Sequence, residues 1–374
     1  MIKRMLETKI CEHLRQNKAI LIFGARQVGK TTLLENLSCL KSAKVLYLSG
    51  DEADIREMLT DTTSTQLQYI FGDHEVVVID EAQQIQNIGT TLKLITDKLK
   101  HIQVIATGSS AFELANKANE PLTGRKFEFQ MFPLTFAEMI DFHGFITENR
   151  MLEQRLIYGY YPEIINNPTN EEKYLKLIAN SYLYKDLLIL DNIKNADLLH
   201  KILKALALQV GSEVSYNEIA QLCKTDYKTV EKYVDLFEKS YITFKLPALS
   251  KNVRNEIKKG KKIYFYDNGI RNAVIGNFTK LGQRTDTGAL WENFLISERI
   301  KQNSYKQRAV TTYFWRTTQQ QEIDFIEEQN GKFYTFEFKW NDKKKAILSK
   351  TFEKAYPNVE FQNINRDNYM EFFS

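Results

Sequence analysis

The chain is poor in the residues that staple or metallate a fold. Its 374 residues include three cysteines, Cys11, Cys39 and Cys223. An odd, scattered set argues against a disulfide framework and a zinc knuckle, and suits a reducing cytosol. The five histidines are dispersed, with no HExxH-type spacing. No apolar run approaches the roughly 20 residues of a membrane span. The opening segment, MIKRMLETKICEHL, spreads charges where a secretion signal needs an apolar core. No internal repeat or low-complexity tract is visible. The net charge of +4 is too small to name a partner. These absences lead to the expectation of a cytoplasmic protein without membrane contact. Hydrophobic content of 43% and charged content of 26% are ordinary for a globular chain. The length allows two or three domains, each with its own core.

Short apolar runs alternate with helical patterns over the first 110 or so residues. The runs are AILIFG, KVLYLS, EVVVID and IQVIATG. Strands alternating with helices imply an α/β fold with a parallel sheet covered on both faces. After the first run comes GARQVGKTT, from Gly24 to Thr32. It fits GxxxxGK[ST] between a strand and a helix, the pattern of a phosphate-binding P-loop. Backbone N–H groups of Gly24, Ala25, Arg26, Gln27, Val28, Gly29, Lys30, Thr31 and Thr32 would cradle phosphates at a helix N-terminus. Lys30 would reach the β- and γ-phosphates of ATP, and Thr31 would hold Mg²⁺. VVVIDE supports the reading, because an acid closing a buried strand is costly unless it binds something. Asp80 would complete the Mg²⁺ site and Glu81 would polarise the attacking water. Ser109, with Thr107 behind it, is the candidate γ-phosphate sensor; a helix N-cap is the alternative. Arg125, in LTGRKFEF, is either an arginine finger acting on a neighbour's nucleotide in a homo-oligomer or a structural ion pair.

The segment VSYNEIAQLCKTDYKTVEKYVDLFEKSYI has helix-turn-helix spacing. Ile219, Leu222, Val230, Val234 and Phe237 would form its core, Asp226 would cap the second helix, and SYITFKLPAL would be a wing. Lys228 and Lys232 could meet DNA, but Glu231, Asp235 and Glu238 share that helix, so a structural or protein-docking role stands beside DNA contact. The basic stretch Lys251 to Lys262 is either a solvated surface linker or a phosphate-tracking segment.

QEIDFIEEQNGKFYTFEFKW begins at Gln321 and reads as a hairpin turning at Asn330-Gly331. Residues whose numbers sum to about 661 then face each other, which opposes Asp324 to Glu337. Alternation puts Ile323, Phe325, Tyr334, Phe336, Phe338 and Trp340 on a core face. It puts Asp324, Glu337 and Lys339 on the other. Opposed carboxylates repel, and a hard divalent cation would relieve them.

These landmarks resemble the prokaryotic AAA-type ATPases that carry a C-terminal domain of unknown function similar to PD-(D/E)xK nucleases. GARQVGKTTLL, VVVIDEAQ, IATGSSAFEL, LTGR with FPLTFAEM, YGYYPEII, KIYFYDNGIRNA, GALWENFL, and EIDF with FEFK carry the likeness over nearly the whole chain. The resemblance implies an ATPase core over residues 1–135, a helical lid over 136–195, a winged helix over 196–255 and a nuclease-like domain over 256–374. It implies that Asp324, Glu337 and the helix acid Glu292 hold Mg²⁺ and that Lys339 helps orient water. Ile323 departs from the motif, standing where the family name has proline. The expected activity is Mg²⁺-dependent ATP hydrolysis coupled to a module that acts on DNA or RNA. A nucleotide-controlled protein-interaction switch with an inert nuclease-like domain, or a DNA-binding regulator, is the alternative.

Overall fold

The computed structural model describes residues 2–109, 122–182, 195–250, 260–317, 319–341 and 346–373. The chain forms two compact units, one built on Met1–Gly144 and the other on most of the chain beyond Gly144.

The first unit is a five-stranded sheet in the order β2-β3-β4-β1-β5. Its strands are β1 (Ala19–Phe23), β2 (Val45–Ser49), β3 (Val76–Asp80), β4 (Gln103–Gly108) and β5 (Lys126–Gln130). All pairings are parallel. β1 and β4 are buried along their whole length, as strands covered on both faces must be. The intervening helices include Lys30–Glu35, Ser64–Phe71 and Ile88–Lys98. Thr63 and Gln66 form a reciprocal capping box that starts the second of these. The order matters for function. β4 lies between β1 and β3, so the loops after all three emerge side by side at the carboxyl edge, where open α/β sheets bind ligands.

The second unit begins with short helices on either side of Gly159, whose φ is +72°. A Cβ there would meet the Asp267 carboxylate at 2.1 Å. Helices Ala196–Leu208, Tyr216–Cys223 and Tyr227–Lys239 come next. An antiparallel sheet of β6 (Glu213–Val214), β7 (Thr243–Pro247) and β8 (Lys261–Phe265) runs in the order β6-β8-β7. Asp226 caps the third helix, accepting the Thr229 N–H at 3.0 Å. A four-stranded sheet closes the unit, in the order β12-β11-β10-β9. Its strands are β9 (Thr311–Arg316), β10 (Glu322–Gln329), β11 (Lys332–Phe338) and β12 (Val359–Ile364). The long helix Thr287–Tyr305 packs on it through Arg299, which donates to Glu327 Oε1 at 2.9 Å.

The hairpin turns at Asn330 (φ +53°) and Gly331 (φ +76°), and Phe325 pairs with Phe336 in the expected register. Four expectations need correction. Ile323 does not share a face with Phe325. The β9 pairing slips by one residue between Ile323 and Ile326, and this bulge turns Ile323 into a cluster with Ile326, Trp315 and Phe352. Leu222 is not core; it is 70% exposed, while Ile219, Val230, Val234 and Phe237 are buried. Lys262 is no surface residue, being 1% exposed as part of β8; residues 251–259 of that basic stretch lie outside the described residues. Finally, Cys11 and Cys39 form a disulfide, with Cα atoms 5.8 Å apart. An odd count excludes full pairing, not one pair, and helix Met5–Glu12 packs beside the turn at Ser38–Leu40 through Glu7, which accepts from Ser38.

Candidate nucleotide site and a second acidic site

The P-loop leaves β1 at Gly24. A Cβ there would stand 2.1 Å from the Met131 carbonyl oxygen, so only glycine passes this point. Gly29, at φ +95°, turns the chain into helix Lys30–Glu35. Lys30 is buried, and its Nζ donates back to the carbonyls of Gly24 (2.9 Å) and Ala25 (3.1 Å). The lysine is thus folded back over its own loop.

Thr31 and Asp80, 49 residues apart, meet directly: Thr31 Oγ1 donates to Asp80 Oδ2 at 2.6 Å. Asp80 Oδ1 accepts from Thr107 Oγ1 and, at 3.1 Å, from the Glu81 N–H. Glu81 takes the left-handed conformation, φ +46°. Its Oε2 accepts from Gln83 Nε2, which also donates to Ser109 Oγ at 3.1 Å. Thr107 therefore holds the aspartate, whereas Ser109 is linked through Gln83 to the glutamate. Gln83 was invisible as a functional candidate in the sequence; its one signal is its place two residues beyond Glu81.

Arg125 stands apart. Its backbone carbonyl accepts from Ala19 N–H at 2.9 Å, at the amino edge of β1 and β5, opposite the P-loop. Its Nε donates to Asp97 Oδ1 at 2.7 Å. Strand direction keeps it away from the P-loop of its own unit.

The second site gathers Glu292, Asp324, Glu337 and Lys339. Asp324 Oδ2 accepts the Phe338 N–H at 2.9 Å and lies 4.0 Å from Lys339 Nζ. Lys339 Nζ donates to Glu337 Oε2 at 2.9 Å. Lys262, the first residue of KIYFYDNGIRNA, was given no role at the acidic site by the sequence; it reaches Glu292 Oε1 at 3.1 Å and Glu322 Oε1 at 2.6 Å. Tyr264 donates to Glu292 Oε1 as well. Burial and the neighbouring Asp324 push Glu337 up to about 7. Burial also raises Glu292 to about 7, with Asp324 adding to the rise and Lys262 opposing it. Burial would depress Lys262, but Glu292, Asp324 and Glu322 outweigh it and hold the ammonium firmly charged. The donor type suits a hard divalent cation. Among the described residues, however, no three acids converge as a ready metal cluster, and each lysine stands against a carboxylate. No described helix is long and apolar enough to cross a membrane.

Comparison with known proteins finds three family matches along the chain. Residues 16–140 match the AAA domain family, 149–281 match a domain of unknown function (DUF8612), and 287–368 match another (DUF4143). An uncharacterized protein of Mycobacterium tuberculosis is 24% identical over 342 residues, covering 90% of this chain and 74% of its own. One from Methanocaldococcus jannaschii is 23% identical over 387 residues, covering 97% and 83%. Among solved structures, the Walker-type ATPase of Pyrococcus abyssi is similar with a TM-score of 0.50 and 16% identity, over 73% of this chain and 96% of that one. Residues 16–140 thus match the AAA domain family in sequence, and the chain matches a Walker-type ATPase in fold.

Proposed function

We propose that the chain is a Mg²⁺-dependent ATPase whose nucleotide cycle drives a nucleic-acid-acting C-terminal module. The observation that carries the first half is the Thr31–Asp80 contact of 2.6 Å. It pairs a hydroxyl and a carboxylate, both hard oxygen donors, beside the P-loop lysine. Mg²⁺ held there would neutralise phosphate charge. Lys30 would bind the β- and γ-phosphates. Glu81, tethered by Gln83, would take a proton from the attacking water. Ser109, joined to the same glutamine, is suited to sense the γ-phosphate.

The second half rests on Asp324, Glu337 and Glu292 as acids for Mg²⁺ or Mn²⁺, with Lys339 orienting water. The four-part division into core, lid, winged helix and nuclease-like domain belongs to this reading. So does DNA contact through Lys228 and Lys232. A protein-interaction switch is the second reading, and one observation favours it. Lys262 bridges Glu292 and Glu322 while Lys339 pairs with Glu337, so these acids already have cationic partners within the protein. Incubation with ATP, Mg²⁺ or Mn²⁺, and varied DNA and RNA tests both halves, reading phosphate release and strand scission. Phosphate release without scission under every condition supports the switch; neither activity refutes both halves.

A further inference from the structure

Arg4 lies outside every motif, yet it is 7% exposed and engages both walls of the P-loop. Its Nη1 donates to the Val28 carbonyl at 2.7 Å. Its Nη2 donates to the Phe132 carbonyl, also at 2.7 Å. Its Nε donates to Glu138 Oε1 at 3.0 Å. Phe132 comes after Met131, whose carbonyl abuts Gly24, so the guanidinium spans from the loop's last turn to the segment flanking its first residue. Glu138 is fixed in turn. It accepts the N–H groups of Met5 (2.8 Å) and Thr135 (2.9 Å), and its own N–H donates to Thr135 Oγ1 at 3.1 Å. Every carboxylate and guanidinium edge in this buried set has an assigned acceptor or donor.

The direction of the Val28 contact is what matters. A peptide unit is planar and trans, so its C=O and N–H point opposite ways. Holding the Val28 carbonyl toward Arg4 turns the Gly29 N–H away from Arg4. Gly29 has no side chain to resist rotation, and its φ of +95° is one that other residues avoid. A buried ion pair is a poor source of net stability, because desolvating both charges offsets their attraction. Its bond directions remain, and here they set the orientation of a phosphate-cradling amide.

We propose that Arg4 is a positioning residue of the P-loop, aligning the Gly29 N–H for the β-phosphate of a nucleoside diphosphate or triphosphate. The assignment rests on the proposed ATPase function. Its signature is selectivity: loss of the guanidinium should weaken ADP and ATP while sparing AMP, which has no β-phosphate. Titration calorimetry with ADP and AMP reads this on the full chain. Arg4→Met leaves Glu138 charged and buried, so the double variant Arg4→Met/Glu138→Gln is measured with it. Arg4→Lys keeps a positive charge near Glu138, but one ammonium cannot span both carbonyls. In the double variant and in Arg4→Lys, the ADP Kd should rise about tenfold, about 1.4 kcal/mol, and the AMP Kd less than about twofold. A merely structural brace would lower the melting temperature and leave the ADP-to-AMP ratio unchanged. Wild-type protein that binds ADP, with that ratio preserved in both variants, overturns the assignment alone. Wild-type protein that binds no ADP overturns the ATPase reading and the assignment together.

Discussion

Glu81→Gln isolates the chemical step. Glutamine has the same shape, so its carbonyl oxygen can still accept from Gln83 Nε2, and the link to Ser109 at 3.1 Å survives. Thr31, Asp80 and Lys30 keep their contacts, since none of them bonds to the Glu81 carboxylate. Nucleotide affinity should therefore stay within about threefold of wild type, a change of well under 1 kcal/mol. What disappears is the ability to accept a proton. A positioned general base contributes about 10²–10⁴ in rate, or about 3–5 kcal/mol of barrier. Single-turnover phosphate release at saturating ATP and Mg²⁺ should fall by that factor. Gln83→Ala provides the comparison: it removes the tether and keeps the carboxylate, so it should slow release less. Hydrolysis by Glu81→Gln at the wild-type rate would refute the role given to Glu81, whatever its position beside Asp80.

Three further outcomes are expected. If Arg125 serves a neighbour's nucleotide, a slowly hydrolysed ATP analogue should promote self-association in sedimentation; a monomer under all nucleotide conditions leaves Arg125 as the partner of Asp97 and nothing more. Asp324→Ala should abolish Mn²⁺ binding at the second unit and metal-dependent scission while leaving ATP hydrolysis within about twofold, and Lys339→Ala should keep the metal and lose scission; wild-type Mn²⁺ affinity in Asp324→Ala, read by calorimetry, would make the acids structural. Asp286 accepts from both Arg271 and Arg284, and although burial opposes them these two guanidiniums pull its carboxyl down to about 2 from 3.8. A depressed acid stabilises the fold above its ordinary range and loses that contribution as pH falls toward 2, so Asp286→Asn, with the partly exposed pair discounted for solvent screening, should cost about 1 kcal/mol at pH 7 in urea unfolding, with the gap closing below pH 4. An unchanged gap across that range would discount the ion pair.

The P-loop was readable because its pattern is local. GARQVGKTT specifies its own turn and helix within nine residues, and VVVIDE places its acids by strand burial alone. The hairpin was readable for the same reason, since Asn330-Gly331 fixes the register of Phe325 against Phe336. What escaped depended on partners distant in sequence. Arg4 looks like one more charge near the N-terminus until Glu138 and Phe132 arrive beside it. Lys262 ends a basic run and reads as solvated, but β8 carries it inward to Glu292 and Glu322. Ile323 obeyed strict alternation until β9 imposed a bulge. Leu222 has helical core spacing, yet near the end of helix Tyr216–Cys223 it stays 70% exposed. Local pattern predicts elements and contiguous motifs; it does not predict which side chains a second element will cover.

The Cys11–Cys39 bond closes a covalent ring, and β1, the P-loop and its helix all lie within that ring. A single backbone cut within this span, such as a tryptic cut beside the half-buried Arg26, would open the ring without dividing the molecule. The two pieces would migrate as one chain until a reductant was added. Paired gels with and without reductant thus report the bond directly, and a nicked but unreduced protein would keep both halves of its P-loop in one covalent molecule.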